Sequence, residues 1–286
     1  MSLRGKAAIV GFGELPTRRV YPGRSAFSLL AEAAKTAIAD AGLRKEQIDG
    51  LITRAAEVDV MQFAEYMGLR PVFCNGAVQH GATGAFSVAM SAAAIEAGLA
   101  SAVLCVFGGS RDPSMARAGG GGEDGPGGVG AEWERPFGPV IAANGGYGLL
   151  KQRHMYEFGT TQEQFAKIAV DERFNSLKNP NGVWEGQMIT MEDVINSRFT
   201  NDPLHLLECV MPCSGAGALI VTSAERAKSL PNKPAYLLGA GACATTHSAI
   251  WQSPRMTTSP VSMSSRRAYE IAGYHMKDAQ FAEFYD

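Results

Sequence analysis

Apolar residues run almost unbroken from 7 to 14 (AAIVGFGE) and close on a glycine turn, which predicts a buried strand. Over 25 to 42 the pattern changes to Ala and Leu at helical spacing, with Ser25 placed as the N-cap and Gly42 as the C-cap. IDGLIT (48 to 53) predicts a second strand. Residues 84 to 98 predict a helix rich in Ala and Ser, and SAVLCVFGG (101 to 109) an apolar strand that ends in two glycines. This alternation of strand and helix predicts a parallel sheet covered by helices.

Between 112 and 148 the composition changes. The run AGGGGEDGPGGVG (118 to 130) has too few side chains to pack as a regular element and predicts a mobile surface loop. No strand feeds it and no helix follows it directly, so it does not read as a phosphate cradle, and the G-x-G at 11 to 13 is equally weak evidence for a dinucleotide. Residues 149 to 205 are polar and helical, with amphipathic stretches at 149 to 158, 161 to 178 and 191 to 197 separated by turns at NPNG and NDP. They read as an excursion over the sheet. A strand at 216 to 223, a short helix (AERAKSL), a strand at 235 to 244 and a helix at 264 to 274 follow, leading into AEFYD.

AGLRKEQID (41 to 49) and AGYHMKDAQ (272 to 280) each close a helix at Ala-Gly, cross a polar turn and enter a strand. The echo predicts two copies of one α/β unit, the second stopping near Asp286, and hence a chain that is the truncated or ordered part of a longer one. The expected domains are 1–110 with 207–230 as a first half, 111–206 as a Gly-rich loop plus helical domain, and 231–286 as the start of a second half.

A chain of 286 residues, 46% of them hydrophobic, can bury a substantial core. Its net charge of -2, with charges interspersed, gives no basic surface of the kind that attracts nucleic acid. No apolar run reaches the roughly 18 residues of a membrane span, and the start MSLRGKAAIVG is not a signal peptide, so a cytoplasmic location is expected. Five cysteines (Cys74, Cys105, Cys209, Cys213, Cys243) in no CxxC spacing predict neither a disulfide framework nor a metal site. Cys209 and Cys213 stand four apart, but Pro212 interrupts a helix there and they read as packed thiols.

The segment GATGAFSVAMSAAAIEAG (81 to 98), followed by LASAVLCVFGG, resembles the nucleophile helix of thiolases: Cys-Ala-Ser/Thr-Gly, a small-residue helix to Ile-x-x-Gly, then an apolar strand. RHMYEFGTT (153 to 161), residues 190 to 227, and MTTSPVSMSSRRAYEIAG (256 to 273) extend the likeness over nearly the whole chain, and it is nearest to the sterol-carrier and lipid-transfer branch. The resemblance implies an α/β, duplicated αβα layered fold with a helical loop domain. It also implies a coenzyme A thioester as substrate or ligand, with no tightly bound cofactor. Gly81 stands where the family has its nucleophilic cysteine, and the family's later His and second Cys would lie beyond Asp286.

In a thiolase, helix dipoles at that terminus favour the cysteine thiolate. Glycine leaves only the amides of Gly81, Ala82, Thr83 and Gly84, which still suit a thioester oxyanion or an enolate. That favours a retro-aldol reaction on a β-hydroxyacyl-CoA, which needs no acyl-enzyme. Members of this branch that lack the cysteine resemble such aldolases, often working with a small OB-fold partner subunit. Tyr285 is the candidate acid/base group, or else a core tyrosine with a bonded hydroxyl. His80 is a candidate donor to the thioester oxygen, or a histidine fixed by backbone contacts. Cys74 reads as packing in preference to a displaced nucleophile. Arg153, His154 and Tyr156 lie where relatives bind the adenine nucleotide, although such a trio is also ordinary helix surface. His205 and His247 are assigned no role. A non-catalytic CoA or lipid carrier, or a structural subunit of a thiolase complex, is the alternative, and a conventional acetyl-CoA acyltransferase the third reading. The family's habit of pairing sheets implies a homodimer, with the strand at 101 to 107 and its Gly-rich flank as the contact.

Overall fold

The computed structural model describes residues 2–54, 58–77, 80–112, 142–244 and 250–284. Tyr285, His247 and the 118 to 130 run lie outside the described residues. Two compact units form: Met1–Ala116 with Ser214–Cys243 and Val261–Asp286, and Arg117–Cys213 with Ala244–Pro260.

In chain order the described elements are β1 (Ala7–Glu14), α1 (Ala26–Asp40), β2 (Gly50–Arg54), α2 (Val60–Met67), β3 (Phe73–Ala77), α3 (Thr83–Glu96) and β4 (Ala102–Gly109). They continue with α4 (Ala142–Phe158), α5 (Gln162–Lys178), α6 (Met191–Asn196), β5 (Phe199–Asn201), β6 (Leu204–His205), β7 (Gly215–Ser223), α7 (Ala224–Ala227), β8 (Ala235–Tyr236) and α8 (Val261–Ala272).

The first unit is built on a six-stranded sheet of order β3-β2-β4-β7-β1-β8. Period-2 alternation divides its side chains between two faces. Leu51, Leu104, Val106, Ala218 and Ile220 pack with α1 and α2. Ile52, Val103, Cys105 and Val221 pack with Val88 and Ala92 of α3 on the other face. The result is three layers, helix, sheet and helix.

The expected parallel sheet forms in part, and the sheet as a whole is mixed. β3, β2 and β4 are parallel, whereas β7 runs antiparallel to both β4 and β1. The pairing shows why: Gly109, at the end of β4, faces Gly215, at the start of β7. The chain re-enters the sheet at the end from which it left, so β7 must run backwards between its neighbours. A second correction concerns 235 to 244, where the strand is Ala235–Tyr236, against Ala8 and Ile9, with Leu237 N still donating to Ala7 O (3.0 Å). The glycines that follow serve another contact: a Cβ on Gly239 or Gly241 would drive into the carbonyl of Ala268 or Ser264 on α8.

That contact repeats one at the start of the chain. Gly11 and Gly13 press in the same way on the carbonyls of Ala37 and Ala33 in α1. The G-x-G of β1 is therefore a helix-docking device. The echo continues past both helices. Gly42 and Gly273 end them at φ of 65° and 66°, and the next turns are capped alike, Gln47 Oε1 accepting from Arg44 N (2.9 Å) and Asp278 Oδ2 from His275 N (2.8 Å). Two stretches sharing few letters thus carry one geometry.

In the second unit the expected helices form, the first of them starting earlier than expected, at Ala142, and the other two behind side-chain caps. Thr161 Oγ1 accepts from Gln164 N before α5, and Thr190 Oγ1 from Asp193 N before α6. Gly146 of α4 lies flat under the Trp251 indole, which brings the 250 to 252 turn onto that helix.

Candidate functional site

The chain leaves β3, makes one 3₁₀ turn over His80–Ala82 and enters α3 at Thr83. Five other helices are closed at their start by a side chain: Ser25 before α1, Asp59 before α2, Thr161 before α5, Thr190 before α6 and Ser223 before α7. At α3 the N-cap is Ala82, which cannot accept a hydrogen bond through its side chain. The start of this 14-residue helix therefore carries no capping side chain, and the helix dipole there favours an anion. Gly81 and Ala82 are exposed. A Cβ on Gly84 would meet no atom within 4 Å, so open space adjoins the terminus.

The buried side of α3 fixes it on the sheet. Ser87 Oγ donates to Thr83 O (2.7 Å) and Ser91 Oγ to Ser87 O (2.8 Å), while Ser91 Oγ lies 3.2 Å from Cys105 Sγ in β4. Hydroxyls bonded four residues back satisfy themselves within the helix and leave a narrow surface, so the helix sits close to β4 and β7.

Neither Cys74 nor Cys105 has the character of an activated nucleophile. Burial pushes the Cys105 thiol up to about 12, against the opposing hydrogen bond from Ser91. Burial also raises the Cys74 thiol, the reverse of what thiolate attack requires. Cys243 is exposed. Native labelling with iodoacetamide should modify Cys243 first, Cys74 more slowly, and Cys105 only after denaturation. Peptide mass mapping over a time course checks the order, and fast modification of Cys74 would contradict the packing assignment.

Of the residues singled out from sequence, Gly81, Ala82, Thr83 and Gly84 come together at this terminus, with the His80 backbone in the turn before it. Thr83 is buried and belongs to the floor. Arg153, His154 and Tyr156 lie on α4 in the second unit and do not form one face. Arg153 pairs with Glu157 (2.5 Å) and lies over the exposed Tyr156 ring, 5.9 Å from its centroid. Glu157 also accepts from Thr257 Oγ1, and the hydrogen bonds from Thr257 and Arg153 hold its carboxyl below the usual range. His154 turns the other way, its ring 4.7 Å from Phe158 and 5.8 Å from Phe165, with Nδ1 buried and unpartnered among the described residues.

Sequence reasoning missed the buried polar centre of the second unit. Glu208 Oε1 accepts from Lys151 Nζ (2.5 Å) and from Gln162 Nε2 (3.1 Å), and Oε2 from His205 N (2.7 Å). Burial pulls the Lys151 ammonium below the ordinary lysine range, and the hydrogen bond and charge of Glu208 pull it back up. No spacing rule joins a lysine to a glutamate 57 residues away. His205 is structural as well, its Nδ1 2.6 Å from Ser197 O and its ring 4.2 Å from Phe199. Among the described residues no three His, Cys, Asp or Glu side chains are placed to hold a metal.

No protein-family model matches the chain. It is 34% identical over 244 residues to the steroid side-chain-cleaving aldolase of Thermomonospora curvata, covering 83% of this chain and 62% of that protein. It is 30% identical over 300 residues to the 17-hydroxy-3-oxo-4-pregnene-20-carboxyl-CoA lyase of Mycobacterium tuberculosis, covering 99% of this chain and 76% of that one. Acetyl-CoA acetyltransferases and sterol carrier protein 2 are among the further relatives. The chain belongs to the thiolase superfamily. Its fold superposes on the solved Ltp2-ChsH2(DUF35) aldolase with a TM-score of 0.86 and 30% identity, over 96% of this chain and 72% of that one. The family and fold class implied by the 81 to 98 segment are thereby confirmed. Because this thiolase-superfamily chain spans 62% and 76% of the two relatives, their activities describe longer polypeptides.

Among the described residues, no helix of this thiolase-superfamily chain is long and apolar enough to cross a membrane. The structure also corrects one contact expected from the family. The strand at 101 to 107 lies in β4, hydrogen-bonded on both sides by β2 and β7, and has no free edge to offer a second copy.

Proposed function

We propose that this protein binds an acyl-CoA thioester and cleaves or forms a carbon-carbon bond by retro-aldol chemistry, without an acyl-cysteine. The observation that carries the reading is the start of α3, which has no capping side chain; the reading also takes Gly81 as standing where the sequence resemblance puts the family's nucleophile. Its amides are suited to negative charge on a thioester oxygen. A base takes the β-hydroxyl proton, the Cα–Cβ electrons move toward the thioester carbonyl, a ketone or aldehyde leaves, and protonation of the enolate gives the shorter acyl-CoA. Tyr285 is proposed as the acid/base group and His80 as a donor to the thioester oxygen. Arg153 and Tyr156, with His154 beneath them, are proposed for the nucleotide part of CoA, and the second unit accordingly as the helical loop domain. The names of the two relatives point to a steroid-bearing β-hydroxyacyl-CoA as the substrate class. This work would be done in the cytoplasm, where CoA thioesters are handled.

A small OB-fold partner subunit belongs to the same proposal, supported by the DUF35 component named in the solved aldolase. So does a homodimer. β3 ends the sheet, Val72 just before it is highly exposed, and no described strand pairs with its outer side. Sedimentation should show a dimer that a proline at Cys74 or Asn75 reduces to monomer; a wild-type monomer would remove this part of the reading.

The activity is tested by incubating the full native polypeptide, with and without its partner subunit, with the CoA thioester that the lyase relative is named for. Cleavage to a 17-ketone and a shorter acyl-CoA is expected, with no mass adduct after acetyl-CoA. An adduct on Cys74, or CoA binding without cleavage in either preparation, would overturn it.

A further inference from the structure

On the face of the sheet opposite α3, helices α1 and α2 enclose a half-open hollow of about 380 Å³. Its floor is apolar: Ala31, Ile38, Leu43 and Met67 are each more than nine-tenths buried. The exposed residues Lys35, Lys45 and Tyr66 complete its lining. Neither lysine side chain makes a hydrogen bond or an ion pair among the described residues, although acidic residues lie close in sequence. Of these, Glu32 is already engaged by Arg24 at 2.7 Å. Lys45 reaches across to the end of α2, where its Nζ would lie 3.2 Å from a Cβ on Gly68, so glycine there leaves the ammonium room to move. Tyr66 is held from the other side by the Phe27 ring, 5.6 Å between centroids.

An apolar floor with a few polar groups at one side is the arrangement of a small-molecule site, and the volume lies within the usual range of roughly 300–1,000 Å³. Two ammonium groups without partners select the sign of the ligand. Their methylene stems extend the apolar wall while the charged heads stay in water. We propose that this hollow binds a small amphipathic anion, an aliphatic carboxylate with its chain on the Ile38, Leu43 and Met67 floor and its head between Lys35 and Lys45. The site lies across the sheet from the start of α3 and needs no CoA.

Decanoate is the probe, titrated into the native chain below its micellar concentration and followed by calorimetry and by amide shifts in a two-dimensional NMR spectrum. One-to-one saturation is expected, with shifts grouped at 31–45 and 66–69. The Lys35→Gln/Lys45→Gln double variant, which changes only exposed side chains, should weaken binding about tenfold. Ala39→Phe, which fills the hollow from its rim, should abolish it while circular dichroism stays unchanged. Decanol, equal in length but uncharged, should bind no better than the double variant binds decanoate. Absence of saturable binding, binding unaffected by both variants, equal affinity for decanol, or shifts centred on 81–84 would each overturn the proposal. None of these outcomes bears on the retro-aldol reading, which is tested with a different ligand on the opposite face.

Discussion

Replacing Glu208 with alanine should destabilise the second unit by about 3–5 kcal/mol, because it strands the Lys151 ammonium inside the protein. Both side chains of the pair are almost wholly buried, at 4% and 7% exposure, so water cannot replace the lost partner. The carboxylate also holds Gln162 of α5 and the backbone of His205, so three segments lose their common anchor at once. Glu208→Gln keeps acceptor capacity without the charge and should fall between the two. The paired change Lys151→Met/Glu208→Leu should recover much of the loss, since an apolar pair of similar size carries no desolvation penalty. Hydrogen exchange of α4 and α5 amides, read beside those of the first unit, separates local opening from global unfolding. A Glu208→Ala protein with unchanged protection in α4 would show that the pair is not the centre of that unit.

The second large effect is expected at Gly13. A methyl group there would enter the space of the Ala33 carbonyl and the Ala37 amide on α1. That helix cannot retreat, since Leu29, Leu30, Ala33, Ala34 and Ala37 are packed into the larger core of the first unit. Gly13→Ala should therefore cost about 3 kcal/mol, the upper end for overpacking. Gly241→Ala makes the matching intrusion on Ser264 of α8, but only Ala272 of that helix is buried. A helix so little enclosed can shift, and its cost should stay under roughly 1 kcal/mol. Urea denaturation of both variants gives the comparison; equal costs would mean that the two helices are equally constrained.

Much of the local structure was legible because it depends on neighbours in sequence. Ser25 announces a helix and makes its capping bond, and the amphipathic stretches at 161 and 191 begin at Thr161 and Thr190, which cap them in the same way. α2 and β3 escaped notice for local reasons as well. VMQFAEYM is two turns long, and FCNGA contains an Asn-Gly pair that reads as a turn, while β3 is held by parallel pairing to β2. The candidate site was legible as a segment, through its likeness to the thiolase nucleophile helix. The missing cap at Ala82 became meaningful only beside the capped helices, and the split of His154 from Arg153 and Tyr156 required the position of Phe165.

By itself the sequence determined the superfamily, most of the longer helices, the Ser25 cap, and the Ala-Gly endings that repeat at 41 and 272. These rest on interactions spanning a few residues, whose free energies are set by residue type and spacing. The tertiary structure alone decided that β7 runs antiparallel between β4 and β1, that β8 stops at Tyr236, and that β4 is interior. It alone brought Lys151 to Glu208 and gave the glycines of β1 a helix to receive. Such features depend on pairs of residues distant in sequence, and the choice among pairings is made by burying all of them together.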